Sequence, residues 1–272
     1  MTASSPAESR LDLGAALRDG WGAFQRAPWT FTGFTLLVAA LTLGLDAVDT
    51  AFTPDPGDLP TFPSPVPLLC RLASAVVSLW AGVGVVRGSW IALEGGRPRF
   101  VDLVRWDGSA IKRVLLASLL LGLIITLIAL PLFFLMAVGV FQMLTLDFPS
   151  TGLPILRGFN PSPAAILLCL VALLTLLVVI TYAQVNQHFL VQLASLRGTG
   201  AVRTLAEGRA VVDRQWWPVL GLVMLESLLL LAGFLALLVG LVVALPVTIC
   251  ISTAAYRQLF GPPLPAGELP AG

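Results

Sequence analysis

Apolar residues run almost unbroken near 30–48, 66–93, 111–146, 163–196 and 217–260, with polar residues concentrated between the runs. A helix needs roughly 20 such residues to cross about 30 Å of hydrocarbon, so the pattern predicts an all-α, polytopic membrane helical bundle. The last run is too long for one helix and suits two, 217–235 and 240–260, joined by a tight turn near Gly233 to Gly240. Run 111–146 is harder to divide. At 1.5 Å per residue it would extend about 54 Å, too long for one straight span and short for two. Pro131 offers a break because its ring disrupts the hydrogen-bond ladder behind it. The pattern therefore predicts a span over 111–131 and a bent or interface-lying continuation over 132–146.

Charge settles the count at six spans. With one span in 111–146, every one of the sixteen basic residues except Arg71 and Arg157 falls on the same side. Two spans there would place Arg197, Arg203, Arg209 and Arg214 on the opposite side. Positive residues collect on the cytoplasmic face, so both termini are expected there, in a bacterial inner membrane or, for a photosynthetic source, a thylakoid membrane. The N-terminus lacks a basic stretch running directly into an apolar one, and the first span is expected to act as its own insertion signal. Trp21, Trp29, Trp90, Trp106, Trp216 and Trp217 all fall at the predicted cytoplasmic boundary, where amphipathic rings prefer to sit. Trp80 alone is mid-span. The outer loops 49–65 and 147–163 are Pro-rich and are expected to lack regular structure, and 261–272 to form a flexible tail.

Residues 204–222, TLAEGRAVVDRQWWPVLGL, align without a gap beneath 16–34, ALRDGWGAFQRAPWTFTGF. Leu17 meets Leu205, Asp19 meets Glu207, Gly20 meets Gly208, Arg26 meets Arg214 and Trp29 meets Trp217. A looser third copy occupies 100–122, where Asp107, Gly108 and Arg113 correspond after a one-residue shift. In the first copy Leu13, Ala16, Leu17, Trp21 and Phe24 recur at helical spacing, as an amphipathic helix lying in the interface requires. The repeat predicts three hairpins, each preceded by a cytoplasmic interfacial helix, the first within 1–29.

Composition agrees: the 272 residues are 57% apolar and 11% charged, against about a quarter charged in soluble proteins. The net charge of +1 says little about partners. Cys70, Cys169 and Cys250 stand singly inside apolar runs and behave as small hydrophobes, with no metal-ligand spacing. No metal and no cofactor is expected.

Two motifs carry a family resemblance. AEGRAVVDRQWWPVLG (206–221) joins an acidic-Gly helix to a basic, aromatic passage into the bilayer. LVVALPVTICISTAAYR, with a proline in the last helix, leads into AAYRQLFG (254–261). The chain resembles a broad bacterial family of six-span membrane proteins that includes the membrane domain attached to some glycerophosphodiester phosphodiesterases. The resemblance implies the fold and no particular activity, and the sequence holds no phosphodiesterase catalytic domain.

Ionisable groups at membrane depth are functional candidates by default. Counted from the predicted cytoplasmic boundaries, Arg87 lies about 9 Å deep, His188 about 12 Å and Glu226 about 15 Å. Glu226 needs a partner, and Arg87 or His188 is placed to supply one. Thr181, Gln184, His188, Gln192 and Ser195 follow one face of the fourth span. That stripe is either interhelical glue or the wall of a hydrated vestibule gripping a cation or hydrogen-bonding ligand. Ser74, Ser78 and Gly82, with the Gly84–Gly88 pair, form a small-residue face suited to internal packing. With one histidine and no nucleophile, P-loop or metal-protease motif, no catalytic site is expected. The basic residues are too dispersed for nucleic acid.

The leading expectation is a non-catalytic scaffold, assembly factor or partner-binding subunit. It would meet the bilayer, other membrane proteins or anionic head groups through Trp21, Arg26, Trp29, Trp106, Arg113, Arg214, Trp216 and Trp217. The alternative is a small transporter or lipid-handling protein using Arg87, Gln184, His188, Gln192 and Glu226.

Overall fold

The computed structural model describes residues 10–53, 65–147, 155–236 and 239–262. Six of its helices are long and apolar enough to cross a membrane. In chain order the elements are α1 (Leu13–Arg26), α2 (Pro28–Phe52), α3 (Val66–Leu93), the short α4 (Phe100–Val104) and α5 (Gly108–Met143). Strands β1 (Leu144–Asp147) and β2 (Ile155–Phe159) follow, then α6 (Pro163–Asn186) and α7 (Leu190–Gln192) with its π-turn Leu193–Arg197. The chain ends with α8 (Ala201–Val212), a 3₁₀ turn at Asp213–Gln215, α9 (Trp216–Leu235) and α10 (Val239–Phe260). Most of the tail expected over 261–272 lies outside the described residues, as does most of the loop 49–65.

The chain divides into two compact units, one formed by 1–117 and 187–272 and the other by 118–186. In the first, α1 starts where the Asp12 carboxylate accepts from the Ala15 N–H at 3.0 Å, satisfying a donor that the helix ladder leaves open. Its face of Ala16, Gly20, Ala23 and Phe24 is buried. A Cβ on Gly20 would lie 2.5 Å from the Ile251 Cα, so α1 rests directly on the backbone of α10. Much of the apolar face expected in the interface is thus spent on protein, while Leu17 and Trp21 remain exposed.

α3 hosts α4 in the same way. The Leu103 carbonyl sits against Gly84, and a Cβ on Gly88 would come 2.8 Å from Leu103 Cδ1. Leu103 is fully buried, and Trp80 donates to the Val104 carbonyl at 3.0 Å. The mid-span tryptophan is thereby hydrogen-bonded, and Gly84 and Gly88 serve internal packing, whereas Ser78 on the same face is exposed. Trp90, unlike the exposed tryptophans, packs inside the protein. It is buried, donates to Glu94 at 2.7 Å and meets Tyr256 edge-on.

In the second unit, α5 continues through Pro131 to Met143 as one helix. The break expected at 131 does not occur. Proline leaves only the Leu127 carbonyl without its ladder donor, a loss one helix can absorb. Gly139 lets α6 approach, its missing Cβ lying 2.6 Å from Cys169 Sγ. Beyond Met143 the chain turns into β1, antiparallel to β2 with a register shift between Thr145 and Leu146. Part of the outer loop expected to be irregular is therefore a hairpin.

Candidate functional site

The helical path that should have carried one polar stripe is broken at its centre. α6 ends at Asn186, residues 187–189 form a turn, and helix resumes at Leu190 before widening into the π-turn that Gly198 closes at φ 69°. Such π segments recur at functional positions because they redirect side chains. Here the bend aims His188 and Gln192 at α10. Gln192 Nε2 donates to Ser252 Oγ at 2.9 Å. Ser252 Oγ lies 3.2 Å from His188 Nε2, which lies 3.3 Å from Glu226 Oε2 on α9.

The cluster is well enclosed, the His188 and Glu226 side chains being only 16% and 10% exposed. Serine, histidine and glutamate are the residue types of a hydrolase triad, but the arrangement is not one. A triad needs the acid on one imidazole nitrogen and the hydroxyl on the other. Ser252 and Glu226 both meet Nε2, so Glu226 cannot orient the ring for proton abstraction from Ser252.

The same residues line a partly open cavity of about 220 Å³, with Gly82, Val86, Val191, Thr248 and Ile249 completing its wall. Two buried acceptors there, Glu226 Oε1 and Gln192 Oε1, have no hydrogen-bond partner. Exchanging the Gln192 amide oxygen and nitrogen would only move the vacancy to the other half of the amide. An unmet buried polar group costs about 1–3 kcal/mol, so two in one cavity call for an explanation beyond packing. Among the described residues no three His, Cys, Asp or Glu side chains converge as a metal site.

Arg87 is not part of this cluster. Its guanidinium pairs with Asp107 at 3.1 Å and donates to the carbonyls of Arg105 at 3.1 Å and Asp102 at 3.4 Å, tying α4 and the start of α5 to α3. Gln184 is exposed on α6. Ser195 is turned back on its own backbone, bonding the Val191 carbonyl at 2.6 Å. Ser252 and Thr248 were not singled out from the sequence. Their only signal was two small hydroxyls one helical turn apart beside Pro246 in an apolar run.

The boundary residues divide into two groups. Trp29, Trp106 and Trp217 are 86%, 61% and 76% exposed, Trp21 is exposed too, and so is Arg214. Trp216 is half-buried and meets Trp217 edge-on. Arg26 and Arg113 instead bond carbonyls at helix ends, Arg26 that of Ala92 and Arg113 that of Ala194 at 3.1 Å. Arg257 likewise bonds the Leu93 carbonyl at 2.8 Å, and Arg197 that of Phe260. Guanidinium groups suit those ends, where open carbonyls and the helix dipole are both negative. Arg26, Arg97 and Arg99 also line an open cavity of about 430 Å³ around Trp29 at the start of α2.

Comparison of the chain with family models, with curated proteins and with solved structures finds no match.

Proposed function

We propose that this is a six-span membrane carrier for a small, hydrogen-bond-donating cation, held by Glu226, Gln192, His188 and Ser252. The observation that carries the proposal is the pair of unmet acceptors, Glu226 Oε1 and Gln192 Oε1, on residues lining one cavity. A protonated amine brings the donors and the charge that such oxygens lack. With His188 neutral, the Glu226 carboxylate attracts a cation.

The membrane arrangement proposed with it has three hairpins with both termini on the cytoplasmic side of a bacterial membrane. Short helices α1, α4 and α8 each precede a long apolar one, in keeping with the aligned sequence segments. The arginines around Trp29 suit anionic lipid head groups. A scaffold role rests on the exposed tryptophans, but a bilayer interface already accounts for exposed rings of that kind. The cation reading therefore comes first.

Uptake of radiolabelled methylammonium into proteoliposomes is the direct test. Glu226→Gln should reduce it about tenfold or more, the scale of one lost charge-assisted contact, while the protein still accumulates normally. Uptake that is unchanged by the substitution would remove the proposal. Wild-type vesicles that take up no more than empty ones would do the same.

A further inference from the structure

Resting on that cation site, we infer that the transported cation is an amphiphile whose hydrocarbon chain occupies a second cavity beside the first. This cavity, about 250 Å³, lies between α2, α3 and α10 and is walled by Phe34, Val38, Ala81, Val85, Leu245 and Pro246. It shares Gly82 and Ile249 with the cation cavity. Gly82 presents no side chain at that junction, and even a Cβ placed there would meet nothing nearer than Val191 Cγ1 at 3.8 Å.

The two compartments differ in what they offer. Thr35 and Ser78 border the second cavity, but each hydroxyl is spent within its own helix, on the Phe31 carbonyl at 3.0 Å and the Ser74 carbonyl at 2.8 Å. No charged residue lines it. The first cavity is lined by Glu226 and Gln192, the residues that carry the unmet acceptors. The charged and apolar ends of an alkylammonium ion would thus each meet a matching cavity, the two sharing Gly82 and Ile249.

The surrounding packing gives the chain a way in. On α3, burial is dense from Val83 to Leu93 and sparse before it, with Leu68, Leu69, Leu72 and Val76 exposed. On α10 the buried stretch begins at Pro246, after the exposed Leu245. Both cavities sit where the tight packing of these two helices gives out, facing apolar flanks that lipid would cover.

The test uses decylamine carrying a diazirine at the chain end, photolysed with the full-length protein in nanodiscs and mapped by mass spectrometry. We expect labelling of the 34–38 segment of α2 and of Leu245–Pro246. Excess unlabelled decylamine should reduce it at least tenfold, and decyl sulfate should not. Gly82→Leu should abolish the α2 label while leaving amine-competed label near Val191 and Thr248. The competition is read on the wild-type chain, so it stands even if a variant fails to fold. Label confined to Val191 and Thr248 but still competed by amine would overturn the amphiphile and leave the cation site standing. Label on α2 that excess amine does not reduce is ordinary lipid contact and would overturn the amphiphile, and only the further lack of amine-competed label at Val191 and Thr248 would overturn the cation site as well.

Discussion

Asp107 is one carboxylate used twice. Its Oδ1 accepts from the Ala110 N–H at 3.0 Å and the Ser109 hydroxyl at 2.7 Å, starting α5, while Oδ2 pairs with Arg87. The Ala110 N–H first, then the Ser109 hydroxyl, hold it below the usual carboxylate range. Burial opposes this, and the Arg87 and Arg113 charges add to it. A folded value below the unfolded one means the group stabilises the fold above the ordinary carboxylate value of 3.8, and that this is lost as pH falls through the folded value. Asp107→Ala should lower stability by about 1 kcal/mol at neutral pH, mostly as a lost helix cap, since the half-exposed ion pair adds little. Thermal unfolding in mild detergent should show the two proteins converging as pH drops below 3.8. A gap that is constant with pH would assign the effect to something other than the carboxylate charge. The sequence placed Arg87 near Glu226 because counting residues measures height along a helix. It cannot measure which way around the helix a side chain points, and Arg87 points to Asp107.

At the scale of elements, the small face of α3 was legible from spacing, but its occupant was not. Five residues of α4 fill it, too few for any periodicity to announce. Because the Leu103 carbonyl already touches Gly84, Gly84→Ala should destabilise by about 1–3 kcal/mol as an overpacked contact. Gly22→Ala in α1 has no atom within 4 Å of its new methyl, and should be neutral or stabilising by up to about 1 kcal/mol through helix propensity. Equal unfolding midpoints for the two variants would contradict the close approach of α4. The clustered arginines show the same limit. Their clustering signalled sidedness, while the carbonyls of Ala92, Leu93, Ala194 and Phe260 that receive them come from remote segments. The turn at 187–189 was also hidden, since Gln187, His188 and Phe189 include neither Gly nor Pro to announce it.

For the molecule as a whole, the proposed threading has a direct measurement. In a background without the three native cysteines, Arg10→Cys, Glu94→Cys and Gly200→Cys should react with an impermeant maleimide from the same side. Ala51→Cys should react from the other. All four positions are exposed. If Gly200→Cys is labelled together with Ala51→Cys, the chain is threaded differently and the cation site loses its place within the bilayer.

The chain's own pattern determined that six helices are long and apolar enough to cross a membrane, because hydrophobic length is a local property. It also marked His188, Gln192 and Glu226 as unusual, because a polar group is costly wherever an apolar run buries it. Only the tertiary structure decided that His188 and Gln192 meet Ser252, with Glu226 joined through His188, beside a cavity, and that Arg87 stays apart. Those outcomes depend on the rotation of each helix about its axis and on the bend at 187–189. Both are set by contacts between residues dozens of positions apart, which no window of sequence contains.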